Sequence, residues 1–227
     1  MPTRRTPPRP TGETTRERVL RVAAELFAAT SYDSTGVQEI TDAAGIGRGA
    51  LYHHIKSKQD LLHEIITDFL TAMIARAGAI VDGPGDAQTR LKALAEDLVT
   101  NLANSREVWV VSMRDWRSLS DERRDEVARM RDAYGELWQR VLDEGYAEGE
   151  LNQVDPALRR GILGMFTHSY PWVDPRGTVE PADVADRSFA LILNGLRRSR
   201  TRAAKSMNSA EAATPARGRK AARRPAR

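Results

Sequence analysis

From Thr15 onward, apolar residues return at intervals of three and four. Leu20, Ala23, Ala24 and Phe27 fall at i, i+3, i+4 and i+7, the spacing of one buried helical face. Thr14 and Glu17 stand just before this run. A hydroxyl followed three residues later by a carboxylate satisfies the first free N–H groups of a helix reciprocally. A helix over 15–29 is predicted. Val37, Ile40, Ala43 and Ala44 make a second, shorter face, with Thr35 and Gln38 as a second capping pair. Gly45 suits the left-handed residue that closes a helix. Ile46 is a lone apolar residue in the turn. Gly47 can open a third helix over Arg48–Ile55, with Leu51 inward. Ser57 and Asp60 then cap a long helix over 58–81, which carries Leu61, Leu62, Ile65, Ile66, Phe69, Leu70 and Met73. The same spacings predict helices over 86–104, 105–118, 121–146, 156–171 and 181–198. Gly83-Pro84-Gly85 breaks the chain before the first of these. Pro156 falls at a first helical position, where its missing N–H costs nothing. The pattern is all-α, with about nine helices.

Two short helices joined by a glycine turn can cross steeply while both pack on the first helix. The outer face of 48–54 is then left uncovered. It carries Arg48, Gly49, Tyr52 and His53, with Lys56 and Lys58 just beyond. A fork donor, a phenol, an imidazole and two ammonium groups are ligands for phosphates and base edges. Gly49 and Ala50 let a partner approach the backbone. This is the form of a recognition helix for the DNA major groove. Helix-turn-helix geometry also occurs in proteins that bind no DNA, so spacing alone leaves a helical adaptor open.

Composition sharpens the picture. Apolar residues make up 41% of the 227, enough for a real core. No apolar run approaches the roughly 18 residues of a membrane span, and MPTRRTPPRPTGE lacks the apolar stretch of a secretion signal. A cytoplasmic protein without membrane contact is expected. Absence of cysteine excludes disulfides, thiolate metal sites and thiol redox sensing. The net charge of +4 is divided: residues 1–12 hold +3 and residues 197–227 hold +10, leaving −9 for 13–196. Both basic ends are poor in large apolar residues and should be disordered. The C-terminal run is either a solvated tail or a salt-sensitive tether to nucleic acid. His53, His54, His63 and His168 show no spacing to a nucleophile or acid that would make an enzyme, and no metal or cofactor is expected.

Residues 15–62 resemble the N-terminal domain of the TetR family of bacterial transcriptional regulators. The likeness rests on Ala-Ala-x-Leu-Phe ending the first helix, then Thr-x-Val-x-x-Ile-x-x-Ala-Ala-Gly-Ile, Leu-Tyr-x-His and Ser-Lys-x-x-Leu-Leu. Two positions depart from it: Ile55 replaces the usual Phe, and Gly47 the usual Ser or Ala. The resemblance implies that Tyr52 and Lys58 contact phosphates, that Thr35 sits at the phosphate-facing start of its helix, and that Arg48, Gly49 and His53 lie nearest the bases. Four segments are expected: a basic arm (1–12), a DNA-binding domain (13–57), a ligand-binding and dimerisation domain (58–198) and a basic tail (199–227).

The remainder matches the family less specifically. Phe69, Met73, Trp109, Met113, Trp116, Tyr134 and Trp138 carry most of the central aromatic and sulfur groups. By spacing they are core or pocket lining; the family implies a pocket for a small apolar effector that releases DNA. Leu158, Ile162, Met165 and Phe166 form one stripe, and Val184, Leu191, Ile192 and Gly195 another. These resemble the helix pair that builds the family's homodimer. Residues 142–196 are similar to the C-terminal regions of lipid-responsive members, several of which bind acyl-CoA thioesters. The loop Trp172-Val173-Asp174-Pro175-Arg176-Gly177 keeps only part of their pattern. The expected function is a repressor that holds a double-stranded, near-palindromic operator.

Overall fold

The computed structural model describes residues 12–170, 173 and 180–197, apart from the side chain of His54. The two basic ends and most of the 171–180 loop lie outside the described residues. Within them the chain forms helices α1 (Thr15–Thr30), α2 (Val37–Ala44), α3 (Arg48–His54), α4 (Lys58–Val81), α5 (Ala87–Asn104), α6 (Arg106–Arg114), α7 (Asp121–Ala147), α8 (Pro156–Thr167) and α9 (Pro181–Leu196). The one extended pairing there is an isolated bridge between Leu151 and Arg197.

α1 to α3 make a small head around Phe27, Ile40 and Leu51, each with no exposed surface. Phe27 meets Tyr32 edge-on at 5.3 Å between ring centres. The expected caps form at Thr14–Glu17, where both reciprocal bonds are made, and at Ser57, whose Oγ accepts from the Asp60 N–H. Gly45 closes α2 at φ 67°, ψ 37°, in the left-handed region where a Cβ would be strained.

The second capping pair does not form. Gly36 is the residue before α2 and makes no side-chain cap. Thr35 lies one position too early and turns inward, its hydroxyl donating to the Ser31 carbonyl at 2.8 Å. The predicted helix over 105–118 is also corrected. α6 stops at Arg114, and Trp116–Ser118 form a single 3₁₀ turn. Asp115 is buried, with its carboxylate held by Arg114, and the tighter turn drives Leu119 into the core. α8 ends at Thr167, four residues short of the expected limit; just beyond it Ser169 Oγ donates to the Phe166 carbonyl at 2.6 Å.

α4 runs along α7, and α5 lies between α7 and α9. The α7 glycine Gly145 permits a close approach: a Cβ there would fall 2.6 Å from Leu151 Cδ1 and 3.0 Å from Ala87 Cβ. Gly78 in α4 faces open space. Gly145→Ala should therefore cost about 1–3 kcal/mol through overpacking. Gly78→Ala should stabilise by roughly 0.5–1 kcal/mol through helix propensity. Urea denaturation of both variants checks this; equal shifts would mean that the contact at Gly145 is not tight.

Candidate nucleic-acid interface and ligand cavity

Leu51 anchors α3 from beneath, so the residues around it must face outward. Arg48, Gly49, Ala50, Tyr52 and His53 are all exposed, with Tyr52 at 47%, and Lys56 is exposed just past the helix end. Nothing lies within 4 Å of a Cβ built on Gly47 or Gly49. The face is open, cationic and short of bulk near its start. These are the properties a base-reading helix requires.

Two sequence-predicted members do not join this face. Thr35 is 1% exposed, and besides Ser31 its hydroxyl meets only Thr30 Oγ1, at 3.0 Å. Its side chain is a structural lock for the α1–α2 loop. Lys58 Nζ donates to the carbonyls of Tyr32 (2.8 Å) and Thr35 (3.0 Å) and lies 4.2 Å from the Tyr32 ring centre. Its ammonium ties the first turn of α4 to the same loop. The sequence suggested a phosphate ligand because Ser-Lys looks alike in either role.

A cavity of about 410 Å³ opens among α4, α6, α7 and α8. Phe69, Met73, Trp109, Met113, Trp116 and Tyr134 all line it. Phe69 and Trp109 meet edge-on at 5.5 Å, and Trp109 Nε1 donates to the Thr167 carbonyl at 3.2 Å. Trp138 does not line it: its ring is buried against Phe166, 5.9 Å away, in the core. Tyr134 and Trp138 stand at i and i+4 on one face of α7, so apolar spacing cannot separate a cavity residue from a core residue. The sequence reading missed the polar lining, notably Arg117, Arg131 and His168, because it followed only the apolar stripe.

The head and the cavity are joined by charged contacts. Arg114, next to Met113, donates to the Phe27 and Ala28 carbonyls at the end of α1. Arg123 of α7 pairs with Asp60 in the first turn of α4. Burial there pushes the Asp60 carboxyl up, but the bonds and charge of Arg123 together with the Ser57 bonds outweigh it and hold the group below its ordinary range.

The predicted dimer stripes divide in two. Leu158, Met165 and Leu191 are exposed at 48%, 45% and 66%, and Gly195 is exposed beside them. Ile162, Phe166 and Val184 are buried in the chain's own core, and Ile192 is half-buried against it. Among the described residues no cluster of three or more His, Asp or Glu could hold a metal, and no helix is long and apolar enough to cross a membrane.

Residues 19–65 match the family model of bacterial regulatory proteins, tetR family, and residues 84–196 that of a tetracyclin repressor-like C-terminal domain. The chain is 30% identical over 184 residues to the HTH-type transcriptional repressor KstR2 of Rhodococcus jostii, covering 80% of this chain and 90% of that protein. Among solved structures it is similar to the regulator PfmR of Thermus thermophilus (TM-score 0.74, 31% identity, covering 80% of this chain and 100% of that one). It is also similar to the ketosteroid transcriptional regulator KstR2 of Mycobacterium tuberculosis (TM-score 0.75, 27% identity, covering 86% and 100%).

Variants of the exposed face should separate its parts. Tyr52→Phe and Lys56→Ala should weaken binding to all duplexes alike, because phosphates carry no sequence information. Arg48→Ala or His53→Ala should flatten preference at particular base pairs, by roughly 1–3 kcal/mol for a lost bidentate contact. Competition binding against point-substituted operators reads the difference. An Arg48 variant with its base preference intact would make Arg48 a phosphate ligand.

Proposed function

The chain belongs to the TetR family and is a DNA-binding transcriptional regulator; from that premise we propose a homodimeric repressor whose hold on its operator is released by a lipid-like effector. The observation that carries this reading is the single helix α4. Its first turn is fixed to the head through Lys58 and to α7 through Asp60, and Phe69, Leu70 and Met73 further along line the cavity. A ligand that fits best when α4 pivots must also move α3. Its leverage equals its affinity ratio for the two shapes: reversing a 99:1 population needs about 10⁴-fold. Burying an acyl chain supplies that at roughly 0.8 kcal/mol per CH₂.

The aromatic lining and volume suit an apolar chain or ring system. That a relative is a ketosteroid regulator supports a lipid-sized effector, and an acyl-CoA thioester is the specific candidate. The division of the chain into a head (13–57) and an effector and dimer body (58–198) follows the same reading, with the basic ends as flanking arms. A partner copy would seat on Leu158, Met165 and Leu191, where Gly161 and Gly195 have open space above them. Pairing there doubles the DNA contacts and calls for a near-palindromic operator, with reading helices about 34–36 Å apart.

Leu191→Glu, on the exposed face, should give a folded monomer that loses tight operator binding, since it places a charge in an apolar interface. Phe166→Glu should instead unfold the body. Sedimentation and circular dichroism distinguish the two. A Leu191→Glu protein that stays dimeric and still binds would place the interface elsewhere.

A further inference from the structure

The cavity lining holds two guanidiniums and an imidazole, from Arg117, Arg131 and His168, and no carboxylate. Other arginines packed against the body, Arg76, Arg90, Arg123 and Arg159, each meet an Asp or Glu. Arg131, on α7, does not. Its Nη2 donates to the Ser112 carbonyl at 2.6 Å, and its buried Nε has no partner. Its guanidinium lies 4.7 Å from the centre of the Trp116 ring, and that of Arg117 lies 5.1 Å from the same centre. Two cations thus share one aromatic ring with no anion between them. Burial first, and the charge of Arg117 second, bring the Arg131 pKa down to about 10. A half-buried charge without a counter-ion is unfavourable, and proteins ordinarily pair or hydrate it.

The lining is also graded by depth. Leu70, Met73 and Trp109 are buried, whereas Arg117 and His168 are exposed at the rim. Resting on the reading of this cavity as the effector site, we propose that Arg131, with Arg117 beside it, receives an anionic head group while the apolar part of the effector lies inward. The effector class is then a carboxylate- or phosphate-bearing amphiphile. A neutral hydrocarbon or uncharged steroid would leave Arg131 as unpaired as it is now. A guanidinium fork suits either anion through two parallel N–H bonds.

The test uses the full chain and three probes of one chain length: decanol, decanoate and decyl phosphate. Quenching of the cavity residues Trp109 and Trp116 reports binding. The wild type should bind one or both anions roughly tenfold tighter than decanol, the ratio expected for a charge-assisted bond; which anion wins identifies the head group. Arg131→Met should reduce that ratio to near one while decanol binding is kept, and Arg131→Lys should restore part of it. If Arg131→Met does not fold, Arg117→Met at the rim must lower the ratio instead. Equal wild-type affinities, failure of all three probes to bind, or an undiminished ratio in Arg131→Met would overturn the assignment. Operator release is scored separately. Anion preference without release leaves the head-group site and removes the induction reading; equal binding with release does the reverse.

Discussion

One helix has to belong to two cores. The first turns of α4 bury Leu61 and Leu62 beneath the head, and its next turns bury Leu70 and Met73 beside the cavity. A helix of 24 residues is stiff over this length, so it cannot adjust at one end without tilting at the other. Close packing makes such an element switch between arrangements instead of bending smoothly. The position of the reading face and the shape of the cavity are therefore one variable.

The side chains at the junction serve this constraint by gripping backbone. Lys58 binds two carbonyls of the α1–α2 loop, and Arg114 binds two at the end of α1. Bonds from a charged donor contribute about 1.5–3 kcal/mol each, less where water reaches them, as it does at Arg114. Arg114 sits at the end of α6, between Met113 in the cavity wall and the 3₁₀ turn that carries Trp116. A cation at a helix C-terminus also meets the negative end of the helix dipole. The body thus holds α1 through α6 and the α2 entry through α4, fixing the head at two separated points.

Much of this is legible in the residues. The caps at Thr14 and Ser57, the left-handed Gly45 and the apolar spacing of α1 and α4 follow from local chemistry, and the structure keeps them. Local chemistry fails where two roles share one signature. Thr35 has the residue type of a cap but stands one place early. Lys58 has the type of a phosphate ligand but finds nearer acceptors. Phe166 and Met165 are neighbours in one stripe, yet the first is core and the second is exposed, since an apolar stripe does not say which side faces its own chain. Trp138 and Trp116 differ in the same way. Arg131 was invisible because its significance is a missing partner, which only the three-dimensional surroundings reveal.

The claim that cavity and reading face move together can be measured directly. The chain has no cysteine, so Glu39→Cys, on the exposed side of α2, accepts a single spin label per protomer. Distances between the two labels of a dimer are recorded with operator DNA, then without DNA, and then with a saturating anionic amphiphile. The account predicts a distribution on operator near the spacing of adjacent major grooves, displaced when the amphiphile fills the cavity. An amphiphile that releases operator while leaving the label distance at its operator-bound value would contradict it.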